Sequence, residues 1–250
     1  MICRGGVRGS YGQVEEDMLY RSETLYYLTD EGLEQMNDMG FDTIIDFRGA
    51  DEIEHHPNRM PEGARYINLA VTNPAEIDEL IPKEHQAEIR QAFLAGDIDR
   101  FNELLEHYDI NLGESKLERY VEFSSLWNEE FSRFMHILLE DGSKRVLFHC
   151  EGGKDRTGYA AALFYKTLGG TEDKYIEDFL LTNDFTAEKN APIIAKMPES
   201  LLPTIIADAA HLKASFNYID DAYGDFDTFR RDVLKISDVE KEALIEKYID

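Results

Sequence analysis

Positive charge is scarce in this sequence: 26 Lys and Arg stand against 51 Asp and Glu, a formal net charge of −25. Such a field repels nucleic acid and opposes adhesion to anionic lipid surfaces, so neither nucleic acid nor a stable membrane anchor is expected. Long apolar runs are missing too, and none approaches the roughly 20 residues of a membrane span. The first twenty residues carry Arg4, Arg8, Glu15, Glu16 and Asp17 in place of the apolar core of a secretory signal. The expected location is therefore cytoplasmic, with unconventional export left open. Cysteine is limited to Cys3 and Cys150, too few and too far apart for a disulfide framework. His55 and His56 have no companion ligand pattern nearby, so no metal and no cofactor is expected.

What is present reads as a folded chain. Hydrophobic residues make up 43% and aromatic residues 11% of the 250 positions, which excludes a disordered composition. That length buries a substantial core, and residues 1–250 read as a single domain.

The chemistry concentrates in one stretch. Val146-Leu147-Phe148 reads as a buried strand, and Tyr159 to Leu168 reads as a helix rich in Ala and Leu. Between them runs His149-Cys150-Glu151-Gly152-Gly153-Lys154-Asp155-Arg156-Thr157-Gly158. A Gly-bearing loop opening onto a helix N-terminus turns its N–H groups inward beside partial positive charge, so Glu151, Gly152, Gly153 and Lys154 can cradle an anion. Cys150 is the candidate nucleophile, because those donors and Arg156 favour its thiolate. Arg156 offers a planar fork for two phosphoryl oxygens while sulfur attacks in line. Thr157 can donate its hydroxyl toward the sulfur, and His149 can orient the loop. A lone cysteine at a strand end is ordinarily core; the combination of residues is what points to catalysis.

HCEGGKDRTG resembles the signature loop of the Cys-dependent tyrosine phosphatases, and Lys154 with Asp155 makes it similar to the atypical bacterial branch. Leu19-Tyr20-Arg21-Ser22, Thr43-Ile44-Ile45-Asp46-Phe47-Arg48, Asp178-Phe179-Leu180-Leu181-Thr182-Asn183 and Tyr223-Gly224 follow in the order that branch shows. The resemblance implies a metal-independent phosphatase acting on phosphotyrosine, in some members on phosphoserine, phosphothreonine or phosphoinositides. The start, Ile2-Cys3-Arg4-Gly5-Gly6, departs from the family pattern.

The remaining chain fills in the scaffold. Leu19 to Thr24, Thr43 to Phe47 and Arg65 to Leu69 read as strands. A helix capped by Thr29 runs to Gly40, and another from Asp51 stops before Pro57. Residues 74–116 form an acidic helical insertion with segments around Glu84 to Leu94 and Arg100 to His107. It is a candidate lid over the site or a helical hairpin docked elsewhere. The aromatic stripe from Leu117 to Glu140 predicts one long helix. Pro192, Pro198 and Pro203 predict an irregular link, and helices over Ile206 to Tyr223 and Phe226 to Leu234 precede one opened by the capping box Ser237-Asp238-Val239-Glu240.

Expulsion of an alkoxide or phenolate calls for a proton donor. Asp155 is the first candidate and Asp46 the second. Asp46 with Arg48 reads equally as an ion pair tying down a loop or as part of the site, where Arg48 would add to a basic pit. Lys154 could reach a second phosphate, which keeps phosphoinositides beside phosphotyrosine proteins as substrates. A catalytically dead phospho-ligand-binding module and a sulfurtransferase are the readings from other classes. The predicted fold is α/β and three-layered: a small, mostly parallel central sheet, helices on both faces and the inserted helical lid.

Overall fold

The computed structural model describes residues 2–4, 8–9, 12–13, 18–71, 83–95, 97–110, 112–197 and 202–249. Its main sheet has five strands in the order β1 (Ile2–Arg4), β4 (Leu19–Ser22), β7 (Val146–His149), β5 (Thr43–Asp46) and β6 (Arg65–Asn68). β4, β7, β5 and β6 run parallel, and β1 pairs antiparallel with β4 at one edge. β2 (Arg8–Gly9) and β3 (Gly12–Gln13) make a separate antiparallel ribbon. β4, β5 and β7 are buried along their whole lengths, as expected where helices cover both faces.

Alternation along the strands divides the core in two. Tyr20, Ile44 and Leu147 point to one face, where they meet Leu25, Phe41 and Met36 of α1 (Asp30–Met39). Thr29 caps that helix by accepting from the Gly32 amide at 3.1 Å, and Gly40 closes it at φ 68°. Leu19, Ile45, Val146 and Phe148 point to the opposite face, into the larger core under α5 (Leu112–Ser125), α6 (Asn128–Leu139), α7 (Asp155–Thr167), α8 (Glu172–Ile194) and α10 (Ala209–Tyr223). The predicted three-layer α/β order is therefore present.

α3 (Lys83–Leu94) and α4 (Ile98–His107) are the helices expected within the insertion. Ile89, Ala92, Phe101, Leu104 and Leu105 form a satellite apolar cluster with Met197, against which Ile193 and the ends of the short α9 (Leu202–Ile205) pack. The expectation for residues 74–82 lies outside the described residues.

Several boundaries differ from the sequence reading. The stripe from Leu117 to Glu140 is two helices, α5 and α6, broken at Leu126-Trp127. The break lets Tyr120 and Phe123 pack toward α7 and α10 while Phe131 and Phe134 reach Phe47 at the end of β5. Pro192 lies inside the last turn of α8 rather than in a link; it removes one hydrogen bond to the preceding turn, and the helix ends two residues later at Ile194. α10 begins at Ala209, because the Asp208 carboxylate accepts from the Ala210 amide and caps it there. α11 (Phe226–Asp232) and α12 (Asp238–Tyr248) follow, the latter opened by the predicted Ser237–Glu240 capping box.

Candidate active site

Register brings the chemistry to one level. Ser22 of β4 and Asp46 of β5 both pair with His149 of β7, so three carboxyl ends converge at the point where Cys150 leaves the sheet. Cys150 is buried and its thiol is free. The following loop is pinned from both sides, by the Phe47 amide donating to the His149 carbonyl and the Thr24 amide donating to the Glu151 carbonyl, each at 2.9 Å. Gly153 is required by both backbone and space: its φ is +64°, and a Cβ would stand 2.4 Å from the Ser22 carbonyl oxygen. The amides of Glu151, Gly152 and Gly153 donate to no atom of the described residues, which leaves them for an anion. The helix after the loop starts at Asp155, earlier than the sequence pattern suggested, so Arg156 and Thr157 belong to its first turn.

Arg156 is held end-on. Its two terminal nitrogens donate to the two carboxylate oxygens of Glu52, each at 2.6 Å, and Nη1 also approaches the carbonyls of Phe47 and Val71 at 3.3 Å. This grip leaves the Nε edge of the fork for a ligand. Burial alone would lower the guanidinium, but Glu52 raises it above its ordinary value. Burial pushes the Glu52 carboxyl up, and Arg156 more than compensates, holding it below the usual range. Glu52 sits at the third position of α2 (Ala50–His55), where it also accepts from the Gly49 amide at 2.9 Å. Sequence reasoning missed it; an acidic residue three positions after Gly49, at a helix start, was the available signal.

Asp46 and Arg48 do not face the loop's ligand side. Asp46 is fully buried, and its oxygens receive Arg48 Nη2 at 2.9 Å, Asn58 Nδ2 at 2.9 Å and Tyr66 Oη at 3.0 Å. An oxygen so enclosed has no path to a leaving group, so the tie-down reading fits and the acid reading of Asp46 does not. Arg48 is equally buried and adds nothing to a basic pit, because its donors are spent on Asp46, Thr24 Oγ1, Asn58, the His56 carbonyl and Glu151. It anchors the loop through that Glu151 carboxylate, whose other oxygen meets His56 Nδ1 at 2.7 Å. His56, at the end of α2, thereby joins that helix to the loop. Asn58 donates to His149 Nε2 at 3.2 Å, so His149 Nδ1 carries the proton and donates to the Cys150 carbonyl at 3.0 Å. Burial lowers the His149 pKa, favouring this neutral form.

Asp155 borders the loop with its side chain 23% exposed. Lys116 Nζ lies 2.8 Å from Oδ2, Tyr120 donates to Oδ1 at 2.9 Å, and Lys154 Nζ is 3.9 Å from Oδ1. Burial would raise this carboxyl; Lys116 first and Lys154 second outweigh it and hold it well below the usual range. Lys154 donates to the Ile205 carbonyl at 2.8 Å and toward that of Ile206 at 3.4 Å, and burial lowers its pKa to about 8. The Thr157 hydroxyl is buried without a hydrogen-bond partner among the described residues. A cavity of about 300 Å³ borders the Gly152-Gly153 side of the loop, between Ser22 and Phe185.

A cysteine at a strand end, open amides on a tight loop and an arginine braced by a carboxylate define a site for an anionic, tetrahedral group. Comparison with known proteins agrees: the profile of the tyrosine phosphatase family matches residues 4–250, and the chain belongs to that family. A candidate tyrosine-protein phosphatase of Cupriavidus necator is 30% identical over 93% of this chain and 80% of its own. The triple specificity protein phosphatase PtpB of Mycobacterium tuberculosis is 24% identical over 86% of this chain and 84% of its own. A tyrosine-protein phosphatase of Nostoc commune is 22% identical over 68% of this chain and 49% of its own. The protein is thus a phosphatase. Among the described residues, no helix is long and apolar enough to cross a membrane.

Proposed function

We propose that the protein hydrolyses phosphomonoesters through a phosphocysteine at Cys150, with phosphotyrosine as the leading substrate and breadth toward other phosphoesters. The observation that carries this reading is the end-on grip of Glu52 on Arg156, which presents the Nε edge beside Cys150 and the open amides of residues 151–153. Phosphoryl oxygens bound there place phosphorus over the sulfur. The Sγ–P bond forms as the P–O bond breaks, and Asp155, whose carboxyl the bound phosphate dianion pushes up against the pull of Lys116 and Lys154, gives its proton to the departing oxygen. Water then attacks phosphorus, Asp155 takes the water's proton, and the thiolate leaves, eased by the Thr157 hydroxyl that otherwise lacks a partner among the described residues.

The triple specificity named for PtpB supports breadth. The phosphoinositide alternative leaned on Lys154, whose ammonium is engaged by the Ile205 and Ile206 carbonyls, so phosphotyrosine keeps the lead. Intact Cys150 and Arg156 argue against a dead binding module. The inserted helices α3 and α4 are read as a lid, because the apolar cluster they form packs on Ile205, whose carbonyl accepts from Lys154 of the loop. The test is phosphate release by wild type and Cys150→Ser from a phosphotyrosine peptide, a phosphoserine peptide and a phosphoinositide panel. Wild-type turnover led by phosphotyrosine with a silent variant supports the reading; binding without turnover, or a preference for the lipids, replaces it.

A further inference from the structure

α5 presents Lys116 and Tyr120 four residues apart, hence on the same face and one turn from each other. That face lies against the catalytic loop, and the two side chains take the two oxygens of Asp155 separately, Lys116 at Oδ2 and Tyr120 at Oδ1. Among the described residues, the other charged groups near this carboxylate are committed elsewhere or further away. Lys154 is 3.9 Å off with its ammonium on the Ile205 carbonyl, and Arg156 is gripped by Glu52. Arg119, the next cation on α5, acts on Lys154. His211 of α10 stacks on Tyr120 with ring centroids 4.9 Å apart, and burial keeps it neutral down to about pH 4. Cys150, on the loop side, is a further ionisable neighbour among the described residues.

We infer that Lys116 is a positioning residue for the reaction: through its ion pair it sets how readily Asp155 takes up and delivers the proton of the leaving group. This rests on the reading of Asp155 as the acid. A cation at 2.8 Å favours the carboxylate and typically moves a carboxyl by one to three pH units. The ion pair therefore places the loss of proton delivery at a lower pH than Asp155 would show alone, and keeps the carboxylate ready as the base of the second step. Neither Lys116 nor Tyr120 belongs to the signature loop.

The test compares kcat–pH profiles for phenyl phosphate, whose leaving group needs a proton, with those for p-nitrophenyl phosphate, whose leaving group needs little help. Lys116→Met should move the basic limb for phenyl phosphate upward by about one pH unit or more, a tenfold change in proton concentration. Lys116→Arg should return it toward the wild-type position, and Tyr120→Phe should move it the same way by less. The p-nitrophenyl phosphate limb should stay in place throughout. Asp155→Asn separates the two ideas. If it abolishes the basic limb while Lys116→Met and Tyr120→Phe leave the limb unmoved, the role of Lys116 is overturned and the acid stands. If the limb survives in Asp155→Asn, the acid reading falls and the inference with it. A carbon-13 titration of Asp155 supplies a readout free of turnover: its midpoint must rise in Lys116→Met, and an unchanged midpoint refutes the inference.

Discussion

Glu52→Gln is the perturbation that probes the arginine clamp most sharply. Glu52 accepts both terminal nitrogens of Arg156 at 2.6 Å, and the two side chains are 22% and 15% exposed, so the pair is largely desolvated. Glutamine keeps one carbonyl oxygen but sets an NH2 group against an arginine donor, replacing one attraction with a repulsion. Breaking a buried pair by changing one partner costs about 3 to 5 kcal/mol, and partial exposure places this case near the lower end. The weaker remaining contacts to the Phe47 and Val71 carbonyls, at 3.3 Å, cannot hold the fork in one orientation. A displacement of about 1 Å at a catalytic group lowers turnover by roughly a hundredfold. Steady-state kinetics with p-nitrophenyl phosphate should therefore show a kcat/KM fall of that order, beside a lower urea midpoint. Glu52→Asp, which keeps the charge, should retain more stability than glutamine. Full activity in a folded Glu52→Gln protein would refute the claim that this carboxylate positions Arg156.

Two further outcomes follow from the same geometry. Gly153→Ala puts a Cβ 2.4 Å from the Ser22 carbonyl at a φ of +64°. The left-handed conformation alone costs about 1 to 2 kcal/mol, so thermal unfolding should show clear destabilisation and phosphate release should drop; a neutral effect would contradict the close approach. His211 has its pKa lowered to about 4 by burial, against about 6.5 when unfolded. The unfolded chain then binds the proton first, so stability is complete above pH 6.5 and is lost as pH falls toward 4. The His211 share lost between pH 7.5 and 5 should be roughly 2 kcal/mol in urea titrations. His211→Phe, which keeps a ring against Tyr120, should remove that share, and an unchanged slope would refute it.

The signature loop was legible because its groups are contiguous: one strand, one tight turn and one helix start carry the nucleophile, the cradle and the fork. The parallel strands were legible for the same local reason, as short runs with apolar, aromatic or β-branched residues between turn residues. What the sequence hid is whatever arrives from elsewhere in the chain. Glu52, Asn58, Lys116 and Tyr120 reach the loop from three separate segments, and no spacing joins them to Cys150. Asp46 and Arg48 stood near the correct strand end, yet alternation along β5 turns Asp46 to the face of Ile44, where Asn58 and Tyr66 enclose it. The break between α5 and α6 was invisible because the aromatic spacing continues across it, although the two halves pack on different partners.

The central claim is that Cys150 itself carries the phosphoryl group. The direct measurement is acid quenching of wild-type enzyme within the first turnovers on a phosphotyrosine peptide, followed by mass analysis of the peptide containing Cys150. The account predicts a phosphorylated Cys150 that is absent from Cys150→Ser and accumulates in any variant slowed in the water step. Rapid turnover with no phosphate on Cys150 at any quench time, or turnover that persists in Cys150→Ser, would contradict it.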